Sequence, residues 1–153
     1  MSGRPALRAA LVAGAVVALD QATKALVRGA IALGEEDPIL PAVTLVHTRN
    51  RGVAFGLFAD GGPIVPVVTG VALAALLAFF YFQRHRPLAW LPTGLLLGGA
   101  AGNLIDRVAE GAVTDFVKLP LWPAFNVADV AITFGVLALL YVLEGPRKPE
   151  PDG

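Results

Sequence analysis

Between Gly98 and Asp129 the sequence sets Asn103, Asp106, Arg107, Asp115, Asn126 and Asp129 in a chain that is otherwise oily, 56% hydrophobic and 16% charged. An ionisable group at the edge of an apolar span costs about 2.5–3.5 kcal/mol on insertion scales, so each is first a candidate for function. Asp129 is the sharpest case, because the apolar run AITFGVLAL follows it on the same predicted helix. The chemistry open to this set is narrow. The only serine is Ser2 and no cysteine is present, which removes serine and thiolate nucleophiles. His47 and His85 stand apart, without the spacing of a zinc site. His85 reads as a turn residue and His47 as a structural residue of a strand. No glycine-rich phosphate loop occurs in a strand-to-helix setting. No metal and no cofactor is therefore expected.

Carboxylates remain. Two of them placed close together share a proton, because both cannot easily ionise. The ionised member then takes a proton from water while the protonated member donates to a scissile carbonyl, with no covalent intermediate. The candidates are Asp20, Asp106, Asp115 and Asp129. Asp20 and Lys24 are spaced i,i+4 with the acid first, which favours an intrahelical ion pair and makes Asp20 an organiser. Asp106 lies beside Arg107 as a salt-bridge partner, although the planar fork of Arg107 equally suits a carbonyl or carboxylate of a substrate. Asp115 and Asp129 have no neutralising neighbour in sequence and rank first. Asp129 is expected about two turns into a helix opened by Pro123. The helix dipole there weakly favours its ionised form, but a coupled pair titrates as a unit and the proton stays unassigned.

Four apolar stretches are long enough to position these groups in a bilayer, namely Leu7–Val27, Pro63–Phe82, Leu88–Ile105 and Pro123–Leu143. The mean hydropathy of +0.67 agrees. Arg4 and Arg8 before the first stretch resemble the start of a signal peptide, yet three further spans and no clear A-x-A site favour an uncleaved helix. Basic residues near span ends divide evenly between the two sides. Keeping Lys24 and Arg107 outside for function leaves both termini in the cytoplasm. The zero net charge and scattered basic residues give no reason to expect a nucleic-acid partner. Within the outer segments, AVTLVHT, VAFGLF and VTDFVKL have strand composition. The expected fold is thus an all-α membrane protein of four transmembrane helices with a small extracytoplasmic β-element. Residues 1–145 form one domain and 146–153 a disordered cytoplasmic tail. Gly94, Gly98 and Gly102 recur every four residues, a spacing that lets a second helix backbone approach closely. A proton-coupled transporter is the rival class, but the two halves show no matching interrupted helices. A purely structural subunit would leave the cost of Asp129 without a purpose.

The ordered set DQATK, NRGVAF, GGAAGNLIDR, VTDF and FNVAD resembles the lipoprotein signal peptidases (signal peptidase II) over nearly the whole chain. The resemblance implies an aspartic endopeptidase of the bacterial inner membrane. Such an enzyme removes the signal peptide of prolipoproteins just before a diacylglyceryl-modified cysteine. It implies Asp115 and Asp129 as the catalytic pair. Asn50, Gly52, Asn103, Arg107 and Asn126 become substrate-binding residues around it, with Ala54 also in the N-x-G-x-A-F element. Asp20 and Lys24 match its first-helix pair. The partners implied are the lipidated prolipoprotein and membrane lipid, and a monomer is expected. The segment Arg49–Phe58, with Gly52 and Gly56 as flexible points, is expected to close over the bound chain.

Overall fold

The computed structural model describes residues 3–52, 64–83 and 85–144. Its elements run α1 (Gly3–Ala30), β1 (Glu36–Leu40), β2 (Val43–Asn50), α2 (Ile64–Gln83), α3 (Trp90–Glu110), β3 (Val113–Leu119), β4 (Trp122–Phe125) and α4 (Val127–Glu144). Helix α3 is central, packed against α1, α4 and α2. Its glycines explain how. A Cβ at Gly94 would lie 2.8 Å from the Ala9 carbonyl oxygen, and one at Gly98 would lie 2.8 Å from that of Ala13. On another face, a Cβ at Gly99 would lie 2.6 Å from the Ala128 carbonyl oxygen of α4. The missing side chains therefore bring three backbones together, as the four-residue spacing anticipates.

Outside that seam the helices are apolar toward their surroundings. Leu11, Leu19 and Leu26 of α1, Val67, Val71 and Leu77 of α2, and Phe134, Leu137 and Leu140 of α4 are all exposed. Arg4–Ala30 and Val127–Glu144 are long and apolar enough to cross a membrane, and Val67–Gln83 is a shorter apolar helix. Only 17% of the apolar window of each long helix is buried, the reverse of a core helix in a soluble domain. At the far end, Arg86 donates to the Val142 carbonyl at 3.2 Å. A cation thus meets the carbonyls left open at the C-terminus of α4.

The β-element is a four-stranded antiparallel sheet in the order β1-β2-β3-β4. It is larger than expected, because EDPIL and WPAF each hold a proline and read poorly as strands. As edge strands they tolerate it. The VTLVHT and VTDFVKL stretches do form β2 and β3. VAFGLF, residues 53–58 of the expected closing segment and the tail 146–153 lie outside the described residues.

Two boundaries differ from expectation in ways that matter. Helix α3 runs past Ile105 to Glu110, so Asp106 and Arg107 belong to its last turns. It ends where Gly111 takes φ 72°, and the Gly111 N–H donates to the Arg107 carbonyl at 3.0 Å. A glycine adopts that left-handed conformation without a Cβ clash. Pro123 does not open α4. It lies in β4, and α4 begins only at Val127.

Candidate active site

Where α4 begins, Asn126 and Asp129 cap it reciprocally. Asn126 Oδ1 accepts from the Asp129 N–H at 2.9 Å, and Asp129 Oδ2 accepts from the Asn126 N–H at 3.2 Å. This is a capping box built from Asn and Asp, satisfying two donors that a helix start otherwise leaves open. It moves Asp129 into the first turn, where the helix dipole favours a carboxylate more than the sequence had suggested. A third donor of that turn, the Ala128 N–H, is accepted at 2.9 Å by Asp20 Oδ1 from α1.

Asp20 and Lys24 form the expected ion pair at 2.7 Å, and both are fully buried. The pair is part of a larger cluster. Lys24 Nζ also lies 3.1 Å from Asp106 Oδ2 and donates to Asn103 Oδ1 at 3.0 Å. Burying an ammonium is tolerable only when its charge is matched and its protons are all placed, and here they are. Asp106 is the correction to the sequence reading. It is not paired with Arg107, because the turn of α3 points it inward. There it meets Lys24, Gln21 Nε2 at 2.9 Å and the Thr114 N–H at 3.0 Å. Gln21 and Thr114 had not been singled out. Gln21 sits inside DQATK, but its partners lie on α3, and spacing along one helix cannot reveal them.

Two asparagines join this cluster to the leading aspartates. Asn103 Nδ2 donates to Asp129 Oδ1 at 2.9 Å, and Asn126 Nδ2 donates to Asp115 Oδ1 at 2.7 Å. Asn50, on β2, donates to the other oxygen of Asp115 at 3.1 Å. Strand register explains this, since Thr48 and Asp115 are paired across β2 and β3 and set Asn50 two residues along. A cavity of about 320 Å³ opens on Asp115, Asp129, Asn50, Asn103 and Arg107, with Trp122, Phe125 and Ile132 supplying apolar wall. Arg107 donates to the Gly52 carbonyl at 3.1 Å, while the Gly52 N–H donates to Asn50 Oδ1 at 3.0 Å. The buried Arg107 Nε has no partner among the described residues. Asn126 is itself buried behind the aspartates rather than at the cavity wall.

His47 is placed structurally. Its Nδ1 lies 2.8 Å from the Ile31 carbonyl, below the end of α1. Among the described residues no three His, Cys, Asp or Glu side chains gather as a metal-ligand set.

Burial, and then the charge of Asp129, push the Asp115 carboxyl up to about 7; the hydrogen bonds from Asn50 and Asn126 and the charge of Lys24 oppose this. Near neutral pH Asp115 is thus poised to hold a proton beside a second carboxylate. If hydrolysis uses that proton, activity is present below this value and is lost as pH rises through it. The expected result is a kcat/KM that declines on the alkaline side of about 7, approaching tenfold per pH unit. A pH–rate profile measures it, and a flat profile to pH 9 would remove Asp115 as the proton holder.

The profile of the family described as Signal peptidase (SPase) II matches residues 12–144. The lipoprotein signal peptidase of Moorella thermoacetica is 43% identical over 146 residues, covering 92% of this chain and 97% of its own. That of Desulforapulum autotrophicum is 42% identical over 162 residues, covering 98% and 99%. Among solved structures, a bacterial membrane enzyme superposes with a TM-score of 0.85 at 30% identity, over 95% of this chain and 94% of that one. With a matching profile from the first helix to the last and relatives that align almost end to end, the chain belongs to the signal peptidase II family.

Proposed function

We propose that this protein is an aspartic endopeptidase that removes the signal peptide from diacylglyceryl-modified prolipoproteins, ahead of the lipidated cysteine. The observation that carries the reading is the opening of Asp115 and Asp129 on one cavity, each anchored by asparagine amides. Asp129, in the first turn of α4, is the ionised base. Asp115, whose carboxyl is raised to about 7, is the acid. Water attacks the scissile carbonyl as Asp129 takes its proton and Asp115 protonates the carbonyl oxygen. The tetrahedral diol then collapses. The C–N bond breaks, Asp129 delivers its proton to the leaving amine, and Asp115 recovers the proton of the hydroxyl. Both carboxyls return to their starting state. Asn50, Gly52, Asn103 and Arg107 orient the peptide, and Asn126 holds the aspartates from behind.

All four helices cross a bacterial inner membrane, with both termini cytoplasmic and the sheet on the outer face. The exposed apolar sides of α1, α2 and α4 support this. In α3 the charged residues, Asp106, Arg107 and Glu110, are confined to its last turns, at the level of the site. The protein works as a monomer. A substrate anchored by two acyl chains, each methylene contributing about 0.8 kcal/mol, searches only the plane of the membrane. The test is incubation of the purified protein with a lipidated and an unlipidated prolipoprotein. Cleavage of the lipidated form alone is expected. Equal cleavage of both would remove the lipid requirement, and cleavage of neither would remove the function.

A further inference from the structure

We propose that Lys24 is a positioning residue for the peptidase reaction: its ammonium fixes the polarity of the Asn103 amide so that Nδ2 must donate to Asp129. The proposal rests on the reading of Asp129 as the base. The observation behind it is a chain of hydrogen bonds whose direction is set at one end. An ammonium has three donors and no acceptor. All three donors of Lys24 are placed, on Asp20 Oδ2, Asp106 Oδ2 and Asn103 Oδ1, and the residue is wholly buried. Asn103 therefore turns its oxygen toward Lys24, and its NH2 toward Asp129 Oδ1 at 2.9 Å.

The acceptor-only carboxylate of Asp129 favours the same orientation from the other end, and on the oxygen side Lys24 is the unshared donor. Asn126 Nδ2 also reaches Asn103 Oδ1, at 3.1 Å, but it reaches Asp115 Oδ1 at 2.7 Å and the Thr114 carbonyl at 3.3 Å too. Its two hydrogens face three acceptors, so the bond to Asn103 is shared. Asn126 is itself locked from the other side, because its Oδ1 accepts from the Asp129 N–H. Removing the donor at position 24 thus leaves Asn103 Oδ1 with only the shared bond from Asn126, and leaves Asn126 in place. A flipped Asn103 would set its carbonyl against Asp129 Oδ1, repelling the carboxylate that must take the proton from water. Asp20 and Asp106 neutralise Lys24 without touching the cavity, which separates the cost of burying the charge from its use.

The test compares Lys24→Met, which keeps the length and removes the donors, with Lys24→Gln, which restores an NH2. A hydrogen bond to a charged partner is at stake. In Lys24→Met, kcat toward lipidated prolipoprotein should fall by about 10- to 100-fold with KM within about twofold, and Lys24→Gln should regain most of the loss. Since Lys24→Met leaves two buried carboxylates facing each other, Lys24→Met combined with Asp106→Asn is measured as well, against Asp106→Asn alone. It keeps the net charge of the cluster, and the same drop in kcat is expected. A wild-type kcat in either folded Met variant overturns the proposal. So does a loss confined to KM, or one equally deep in Lys24→Gln. Wild-type protein assayed alongside keeps this distinct from the functional reading: its failure to cleave would condemn that reading, whereas active wild type with unaltered Lys24→Met condemns only the role of Lys24.

Discussion

Asp115→Asn and Asp129→Asn are each expected to reduce prolipoprotein cleavage by about 10³-fold or more while the protein stays folded in detergent, since a positioned acid or base supplies about 10²–10⁴-fold. The amide is nearly isosteric with the carboxylate but can neither accept the proton of water nor donate one to the carbonyl oxygen. In Asp115→Asn the new NH2 must also face a donor, because Asn126 and Asn50 approach the two oxygens from opposite sides. That conflict costs about the worth of one hydrogen bond, on the order of 1 kcal/mol, too little to unfold the protein. Asp20→Asn should behave differently. Asp20 does not line the cavity; it is fully buried between Lys24 and the Ala128 N–H. Its loss should first appear as a lower Tm and yield. Turnover and thermal unfolding measured on the three variants decide the matter. Near-normal turnover in Asp115→Asn or Asp129→Asn would exclude that residue from the chemistry, and a well-folded but inactive Asp20→Asn would bring Asp20 into it.

The division between these residues marks how far sequence alone could reach. The helices were legible because lipid-facing and helix-facing residues are both apolar, and the four-residue glycine spacing marks the seam against α1. Asp20 and Lys24 were legible as a pair because their partnership lies within one helix. Asp106 was not, since its neighbour in sequence is an arginine while its neighbours in space come from α1 and β3. The capping box escaped for a different reason. FNVAD follows a proline, a usual first-turn residue, and only the pairing of β4 with β3 shows that Pro123 is still in the sheet. The four residues from Pro123 to Val127 carried Asp129 from the second turn to the first. That changes its electrostatics more than any composition argument could.

Gly102→Val should be strongly damaging although the residue lies outside the cavity. A Cβ at this position would lie 2.6 Å from Asp20 Oδ2 and 3.5 Å from the Ala128 Cβ. The space is the meeting point of α1, α3 and α4, so no flexible side chain can swing away. Relief requires Asp20 to move, which breaks its ion pair with Lys24 and its hydrogen bond to the Ala128 N–H. Overpacking costs about 1–3 kcal/mol, and a buried donor left without a partner costs about 1–3 kcal/mol more. For a chain of this size, each kcal/mol is about 2–4 °C, so Tm should fall by about 10 °C. Activity should fall with it, because the turn that Asp20 caps is the one that carries Asp129. Two glycines supply the comparison. At Gly135 the added Cβ would meet the movable Leu96 side chain, at 2.8 Å, so Gly135→Ala should cost less. At Gly14 nothing lies within 4 Å, so Gly14→Ala should be neutral or stabilising by about 1 kcal/mol through helix propensity. Thermal unfolding of the three variants in one detergent gives the ranking. A Gly102→Val protein as stable as Gly14→Ala would mean that the Asp20 carboxylate does not occupy the contact between the helices, and the link from the buried cluster to Asp129 would fall with it.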